Sequence, residues 1–170
     1  MKSACQLVVR VKVPSGKGPW YAFGKLGGSL PYDDLTGHTF CAHVDEGDSL
    51  AWHGFYPKGA IVGWDEVSLE DRIGGPKDFF KLVAGCLYHG DADHTYDIEK
   101  RYDLSRVHYD AAQQFANDWE ARDTKYSLAR KNCTDFVVKD AEAAAQVVRG
   151  AGFPFRNPAS LGKALAKPRP

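Results

Sequence analysis

The sequence predicts an α+β protein in which an antiparallel sheet packs against helices. A strand-like stretch at 7–13 alternates apolar and charged residues, and two further β-rich runs, 37–44 and 50–57, flank a short turn sequence. Two stretches with helical periodicity follow in the second half of the chain. With 170 residues, 44% of them hydrophobic, positions 1–170 are expected to form a single domain around one core.

The composition argues against several classes of function. Twenty-two basic residues balance twenty-two acidic ones, and no segment concentrates Lys and Arg, so we expect no nucleic-acid partner. No segment is long and apolar enough to predict a membrane span. The N-terminus alternates apolar and charged residues instead of forming an apolar run, so no signal peptide is predicted and synthesis in the cytoplasm is expected.

The four cysteines are widely separated and form no CxxC pair: Cys5, Cys41, Cys86 and Cys133. This spacing gives no support to a zinc knuckle or a dithiol redox site. Free thiols are expected, although the even number of cysteines leaves a disulfide possible.

The first strand and the hairpin are predicted from alternation. Four apolar residues share one face of the first strand: Leu7, Val9, Val11 and Val13. The sequence DEGDS separates the two β-rich runs, which indicates a hairpin. A turn centred on positions 46–47 would place His53 opposite Phe40, on the same face as His38. A slip of one residue would move His53 to the other face.

The following elements are predicted from capping and periodicity. The stretch 77–90 is apolar but leaves helix and strand open, whereas 94–104 alternates like a strand, with Tyr96, Ile98 and Tyr102 on one side. Ser105 is a candidate N-cap for a helix that ends near Arg122. The apolar face of this helix is expected to comprise Tyr109, Ala112, Phe115, Ala116 and Trp119.

A second helix is predicted after Asn132, which is a candidate N-cap, with Gly150 as its stop signal. Its apolar stripe is expected to comprise Phe136, Val137, Ala141, Ala144 and Val148. The C-terminal tail is expected to contain at most one or two further helical turns.

Cys133 is the candidate nucleophile. It would occupy the first helical position after Asn132, where unpaired backbone N–H groups and the positive end of the helix dipole stabilise a thiolate. The same N–H groups could bind a tetrahedral oxyanion. The alternative is that Cys133 is a buried, inert thiol.

His38 is the candidate base, since a thiol nucleophile is usually activated by a histidine. It begins a strand directly after Gly37, where an imidazole can project from the end of a sheet. His43 lies on the opposite face by parity and is the weaker candidate. His53 is the candidate third residue that orients the imidazole, subject to the hairpin register. Either histidine could instead be structural.

The order of these features resembles circularly permuted papain-like proteins. A strand that begins Gly-His, a return strand with a second polar residue and a later Asn-Cys pair that opens a helix are similar to the lecithin retinol acyltransferase group, whose motif N-C-x-x-F matches residues 132–136. The fuller pattern of GHTF, WHGFYP, NCTDF and PASLGKAL resembles small bacterial NlpC-like domains among type VI secretion toxins. The resemblance covers positions 36–56 and 126–165.

This resemblance implies a permuted papain-like fold and a cysteine amidase or peptidase that cleaves the stem peptides of peptidoglycan. It implies Cys133 as nucleophile, His38 as base and His53 as the third polar residue, with no metal and no cofactor. The implied partners are a cognate immunity protein and a secretion carrier. The implied place of action is the periplasm of a target cell.

Three further residues are candidates for contact with the substrate. Tyr126 occupies a place similar to the tyrosine that precedes the nucleophile in NlpC-type enzymes and could donate to the oxyanion, or it could be a half-buried aromatic residue. Asn132 caps the helix. Asp135, at the third helical position, could bind a substrate amine but first of all completes the cap.

Three other interpretations stay open. The stretch HGDADH at 89–94 could bind a metal, although such density of Asp and Gly is common in turns. The same catalytic residues could serve a thiol acyltransferase or lipid esterase. The domain could also be a non-catalytic papain-like module that binds a partner.

Overall fold

A computed structural model of the chain describes residues 5–14, 37–45, 51–58, 82–146 and 156–166. Within these ranges the protein is α+β, with a six-stranded antiparallel sheet and three helices packed on it. None of the helices in the described part of the chain is long and apolar enough to cross a membrane.

The sheet has the strand order β5-β1-β2-β3-β4-β6, and every neighbouring pair is antiparallel. Its strands are β1 (Cys5–Lys12), β2 (His38–Val44), β3 (Ala51–Pro57), β4 (Val83–Tyr88), β5 (Ile98–Leu104) and β6 (Lys125–Tyr126). The helices are α1 (Arg106–Ala121), α2 (Cys133–Ala143) and α3 (Pro158–Leu165). A short 3-10 turn, Asp91–Asp93, lies between β4 and β5.

The helices cover one face of the sheet, which we call the helix face. The predicted alternation in β1 is confirmed, because Leu7, Val9 and Val11 are fully buried in the main core. All three helices contribute to that core, among others Tyr109 from α1, Phe136 from α2 and Leu161 from α3, so burial of apolar side chains holds the two layers together. Odd-numbered residues of β2 and β3 point to the helix face.

The opposite face of the sheet, which we call the far face, carries a second apolar cluster. Its buried members are Val8, Phe40, Ala42 and Trp52. Arg10 lies on the same face, with its guanidinium 3.9 Å from the Trp52 ring centroid and 4.0 Å from that of Tyr96. Tyr96 therefore does not share the core side with Ile98 and Tyr102 as predicted, because it precedes the strand and packs on Arg10.

The predicted β2–β3 hairpin is confirmed, but the preferred register is wrong by one residue. His53 pairs with Cys41, and Gly54 pairs with Phe40. Because side chains alternate along a strand, this slip places His53 on the helix face and His38 on the far face. The turn itself lies outside the described residues.

The helix predictions agree with the structure at their N-termini. Ser105 caps α1 by accepting from the N–H of His108, and α1 ends at the C-cap Arg122. Asn132 caps α2, which ends earlier than predicted, at Ala143 with Ala144 as C-cap. Val148 and Gly150 lie outside the described residues. The ambiguous stretch contains strand β4, and the tail forms the two turns of α3.

Candidate active site

The first helical residue of α2 is Cys133, and a complete capping box explains why the helix begins there. The side-chain oxygen of Asn132 accepts from the N–H of Thr134 at 2.9 Å and from that of Asp135 at 3.2 Å. In return, Asp135 Oδ2 accepts from the N–H of Asn132 at 3.2 Å. Cys133 is thus held at the start of a helix, as predicted, and its side chain is buried.

Asn132 also joins α2 to neighbouring segments. Its Nδ2 donates to the carbonyl oxygens of Leu128 and Arg156, both at 2.8 Å. The contacts of Asn132 and Asp135 are therefore those of a helix cap, and a substrate contact for either residue stays a prediction. Burial raises the pKa of Asp135, although the bond from the Asn132 N–H and nearby cations act in the opposite direction.

The start of β2 lies beside the start of α2. Thr39 Oγ1 and Thr134 Oγ1 form a buried hydrogen bond of 3.1 Å. Gly37, just before β2, has a φ of 71°, and a Cβ at this position would overlap Pro158 at the start of α3. Glycine thus allows the three element starts to pack closely. His38 and Cys133 are the residues that precede this pair of threonines.

His38 is held by a buried hydrogen-bond cluster on the far face, formed with Asp91 and Tyr56. Nε2 of His38 lies 3.1 Å from Asp91 Oδ2 and 2.6 Å from the Tyr56 hydroxyl. The Tyr56 hydroxyl donates to Asp91 Oδ1 at 2.8 Å. Because a carboxylate only accepts and the Tyr56 proton is used on Asp91, the proton shared with His38 is assigned to Nε2.

A glycine in β3 makes room for the Asp91 carboxylate. A Cβ built on Gly54 would overlap Asp91 Oδ2. Gly54 pairs with Phe40, so the missing side chain opens the far face between His38 and the 3-10 turn. Asp91 is completely buried there and also lies 3.5 Å from His94 Nε2. The close approach of this carboxylate to the strand therefore depends on glycine.

Asp91 and Tyr56 were not among the predicted partners of His38. His53 was expected in that role, but the observed register places His53 on the other face of the sheet. Tyr56 shares the parity of His38 in this register, so a correct pairing would have identified it. Asp91 is 53 positions from His38 in the chain, and no local pattern links the two residues.

A second buried cluster lies on the helix face and consists of Cys41, His43 and Asp140. His43 Nε2 donates to Asp140 Oδ2 at 2.9 Å, and the Cys41 thiol donates to the same oxygen at 3.5 Å. The other carboxylate oxygen, Asp140 Oδ1, is buried and has no hydrogen-bond partner among the residues that the structure describes. Burial and the charge of Asp140 raise the pKa of Cys41 well above its ordinary value.

His53 extends this second cluster toward the surface. Its ring lies 5.3 Å from that of His43, and its Nδ1 lies 2.9 Å from Nδ1 of His89. His89 Nε2 in turn lies 3.2 Å from Glu120 Oε1, where both side chains are about half exposed. Burial, together with the neighbouring His43 and His89, lowers the pKa of His53 to about 4, so its ring is neutral near neutral pH.

Tyr126 is a core residue. Its ring centroid lies 5.3 Å from that of Phe55, and its side chain is only 4% exposed, so it is not the half-buried aromatic of the alternative interpretation. Its contact with an oxyanion stays a prediction.

The structure bears on two expectations from the sequence, a metal site at residues 89–94 and free cysteine thiols. Among the residues that the structure describes, the group that brings three possible metal ligands together is the second cluster, not the HGDADH stretch. Asp91 from that stretch binds His38 and Tyr56 instead. The four cysteines are free thiols, as expected.

Comparisons with protein-family models, with curated proteins and with solved structures found no match to this chain. The hydrogen-bonded clusters of the structure and the papain-like motifs of the sequence are therefore the observations that bear on function.

Proposed function

We propose that the protein is a cysteine amidase of permuted papain-like fold, with Cys133 as nucleophile and His38 as base. The observation that supports this most is the His38 cluster. A buried carboxylate and a buried tyrosine hold one nitrogen of His38 at the start of β2, and the next residue in β2 is hydrogen-bonded to the residue after Cys133. A base oriented by a third group and a thiol at a helix N-terminus are the two components that thiol hydrolysis requires. The His38 side chain lies on the far face and α2 packs on the helix face, so the approach of the imidazole to the Cys133 thiol is itself part of the proposal.

The proposed roles follow from this assignment. His38 takes the proton from the Cys133 thiol, and the thiolate attacks the amide carbonyl to form a tetrahedral intermediate. The N–H of Cys133 stabilises the oxyanion. The imidazolium then donates its proton to the leaving amine, and a water activated by His38 hydrolyses the thioester. Asp91 stabilises the imidazolium and maintains its tautomer, the role first assigned to His53.

The proposed substrate is the peptide stem of peptidoglycan, as the motif resemblance implies. On the same basis we propose an antibacterial effector that is carried by a secretion system, acts in the periplasm of a target cell and is neutralised by an immunity protein in the producing cell.

The test is to incubate the full chain with peptidoglycan fragments and to resolve the products by mass. The wild-type protein should cleave an amide bond with addition of one water, and Cys133→Ala and His38→Ala should each lower turnover by at least about 10³-fold. The matched control is Cys86→Ala, which removes a partly buried thiol of β4 and should retain activity. Cleavage by Cys133→Ala would contradict the proposal.

Two other outcomes would assign the same residues differently. Transfer of an acyl group or hydrolysis of a lipid ester, without cleavage of peptidoglycan, would identify an acyltransferase or esterase. A Cys133 thiol that fails to react with a small electrophile near neutral pH would identify a non-catalytic binding module.

A further inference from the structure

The second cluster has the composition of a metal site. Cys41 and His43 are two residues apart on β2 and share its helix face, and Asp140 lies on α2 about two turns beyond Cys133. One ligand atom from each residue lies within 4.8 Å of the other two. All three side chains are buried, so the group is enclosed between the sheet and the helix.

The cluster is not satisfied by its own hydrogen bonds. Asp140 Oδ2 accepts from His43 and from the weak thiol donor of Cys41, while Oδ1 has no partner within the described ranges of the chain. A completely buried carboxylate with one oxygen unpaired costs several kcal/mol unless another charge compensates it. A cation bound between the three residues would supply that charge and would also use the unpaired oxygen.

We propose that Cys41, His43 and Asp140 bind one Zn²⁺ ion that fastens α2 to β2. Thiolate, imidazole and carboxylate together form a ligand set that suits zinc and not the hard cations Ca²⁺ and Mg²⁺, which prefer oxygen. With zinc bond lengths of about 2.0–2.3 Å, tetrahedral ligand atoms lie about 3–4 Å apart. The distances from Asp140 Oδ2, 2.9 Å to His43 and 3.5 Å to Cys41, are close to that range.

Binding would proceed by loss of the Cys41 proton, while the His43 proton moves from Nε2 to Nδ1 so that Nε2 can bind the ion. The thiol and Zn²⁺ give a zinc thiolate and one released proton, with no change of oxidation state. A fourth ligand completes the tetrahedron. His53 pairs with Cys41 across the hairpin and its ring centroid lies 5.3 Å from that of His43, outside the group of three ligands, so its ring would have to move toward the ion to supply it. His53 contacts His89, and His89 contacts Glu120, which is about half exposed. These polar side chains connect the cluster to the surface and would give an entering ion a polar route.

The site would be structural and not catalytic. Cys41 lies in the middle of β2 under α2, away from the start of the helix. Because β2 carries His38 and α2 carries Cys133, an ion between the two elements would maintain the relative position of the proposed base and nucleophile. The inference does not depend on the proposed function, since the ligands are other residues.

The test uses the full chain, stripped with a chelator and titrated with Zn²⁺ and with Co²⁺. We expect one ion per chain, a thiolate-to-cobalt charge-transfer absorption, a rise in Tm with Zn²⁺ and protection of one thiol from alkylation. Cys41→Ser should abolish the charge-transfer absorption, and Asp140→Asn should weaken Zn²⁺ binding at least about 10-fold. The matched control Cys86→Ser should bind as the wild-type chain does.

The measurement on the wild-type chain is decisive even if a variant fails to fold, which circular dichroism would show. Failure of that chain to bind Co²⁺ at one ion per chain, or binding without the charge-transfer absorption, would overturn the zinc site. Cys133→Ser separates the two proposals, because it should lose hydrolysis and retain the metal. A wild-type chain that hydrolyses peptidoglycan but binds no metal would refute the zinc site alone.

Discussion

The two faces of β2 carry two buried pairs of the same residue types, with different surroundings. On the far face, His38 contacts Asp91, and both oxygens of that carboxylate are hydrogen-bonded. On the helix face, His43 contacts Asp140, and one oxygen of that carboxylate has no partner in the part of the chain that the structure describes. A histidine beside a buried carboxylate therefore does not by itself define a function.

The two pairs differ in their position along β2 and in whether both oxygens of the carboxylate are hydrogen-bonded. His38 is the first residue of β2, beside the start of the helix that carries Cys133, and its carboxylate partner needs no further donor. His43 lies near the other end of β2, beneath α2, and one oxygen of its partner Asp140 has no donor among the described residues. The first arrangement is suited to orienting a base and the second to binding a cation.

The largest expected effect is that of Asp91→Asn on turnover. In the proposed mechanism the substitution removes the charge that stabilises the His38 imidazolium and allows the other tautomer, so we expect kcat to fall on the order of 10²–10⁴-fold. The pH dependence of kcat should shift as well, which simple loosening of the fold would not produce. Peptidoglycan cleavage at saturating substrate measures both.

The matched control is Asp93→Asn, which changes an exposed carboxylate of the same 3-10 turn and should leave kcat unchanged. Asp140→Asn should lower kcat per folded molecule less than Asp91→Asn does. Equal losses would show that the two faces of β2 do not differ in function.

The next effect is on stability and is expected from Gly54→Ala. Its Cβ would overlap Asp91 Oδ2, so the carboxylate must move away from His38, and the free energy of unfolding should fall by about 1–3 kcal/mol. Urea denaturation measures the loss. The double variant Gly54→Ala/Asp91→Ala should recover part of it, because the clash is gone. Strictly additive losses would show that Gly54 does not make room for Asp91.

The smallest effect concerns a partly exposed ion pair, in contrast to the two buried pairs. Glu99 Oε2 accepts from Arg10 at 2.9 Å, and Oε1 accepts from Arg101 at 2.8 Å. Burial alone would raise the pKa of Glu99, but the bonds from Arg10 and Arg101 outweigh it, so its pKa is lowered. The pair therefore stabilises the fold above the ordinary glutamate pKa, about 4.3. That contribution is lost as the pH falls through the lower folded value.

Glu99→Gln should remove this part of the acid-side decline and cost under about 1 kcal/mol at neutral pH. Urea denaturation as a function of pH checks both. An identical acid-side slope in the variant and the wild-type protein would show that Glu99 contributes nothing to it.

Local features of the site were predictable from the sequence. Asn132 and Asp135 form the expected capping box because a side-chain acceptor before a helix satisfies N–H groups that the helix leaves unpaired. Cys133 at the first helical position follows from that cap. The strand at His38 follows from a β-rich run that precedes a turn sequence. Each of these inferences uses residues within a few positions of one another.

Sequence patterns were enough to predict β1, β2, β3 and β5, followed by α1 and α2, as well as the capped start of α2 and the face of each strand residue relative to its neighbours in the same strand. They left β4 open between helix and strand and did not indicate β6. Only the tertiary structure decided the pairing of His53 with Cys41, the approach of Asp91 to His38 and the meeting of Asp140 with His43. Alternation has a period of two and leaves the register between strands open, whereas packing against the core selects one register. Contacts between residues 53 and 97 positions apart depend on that choice.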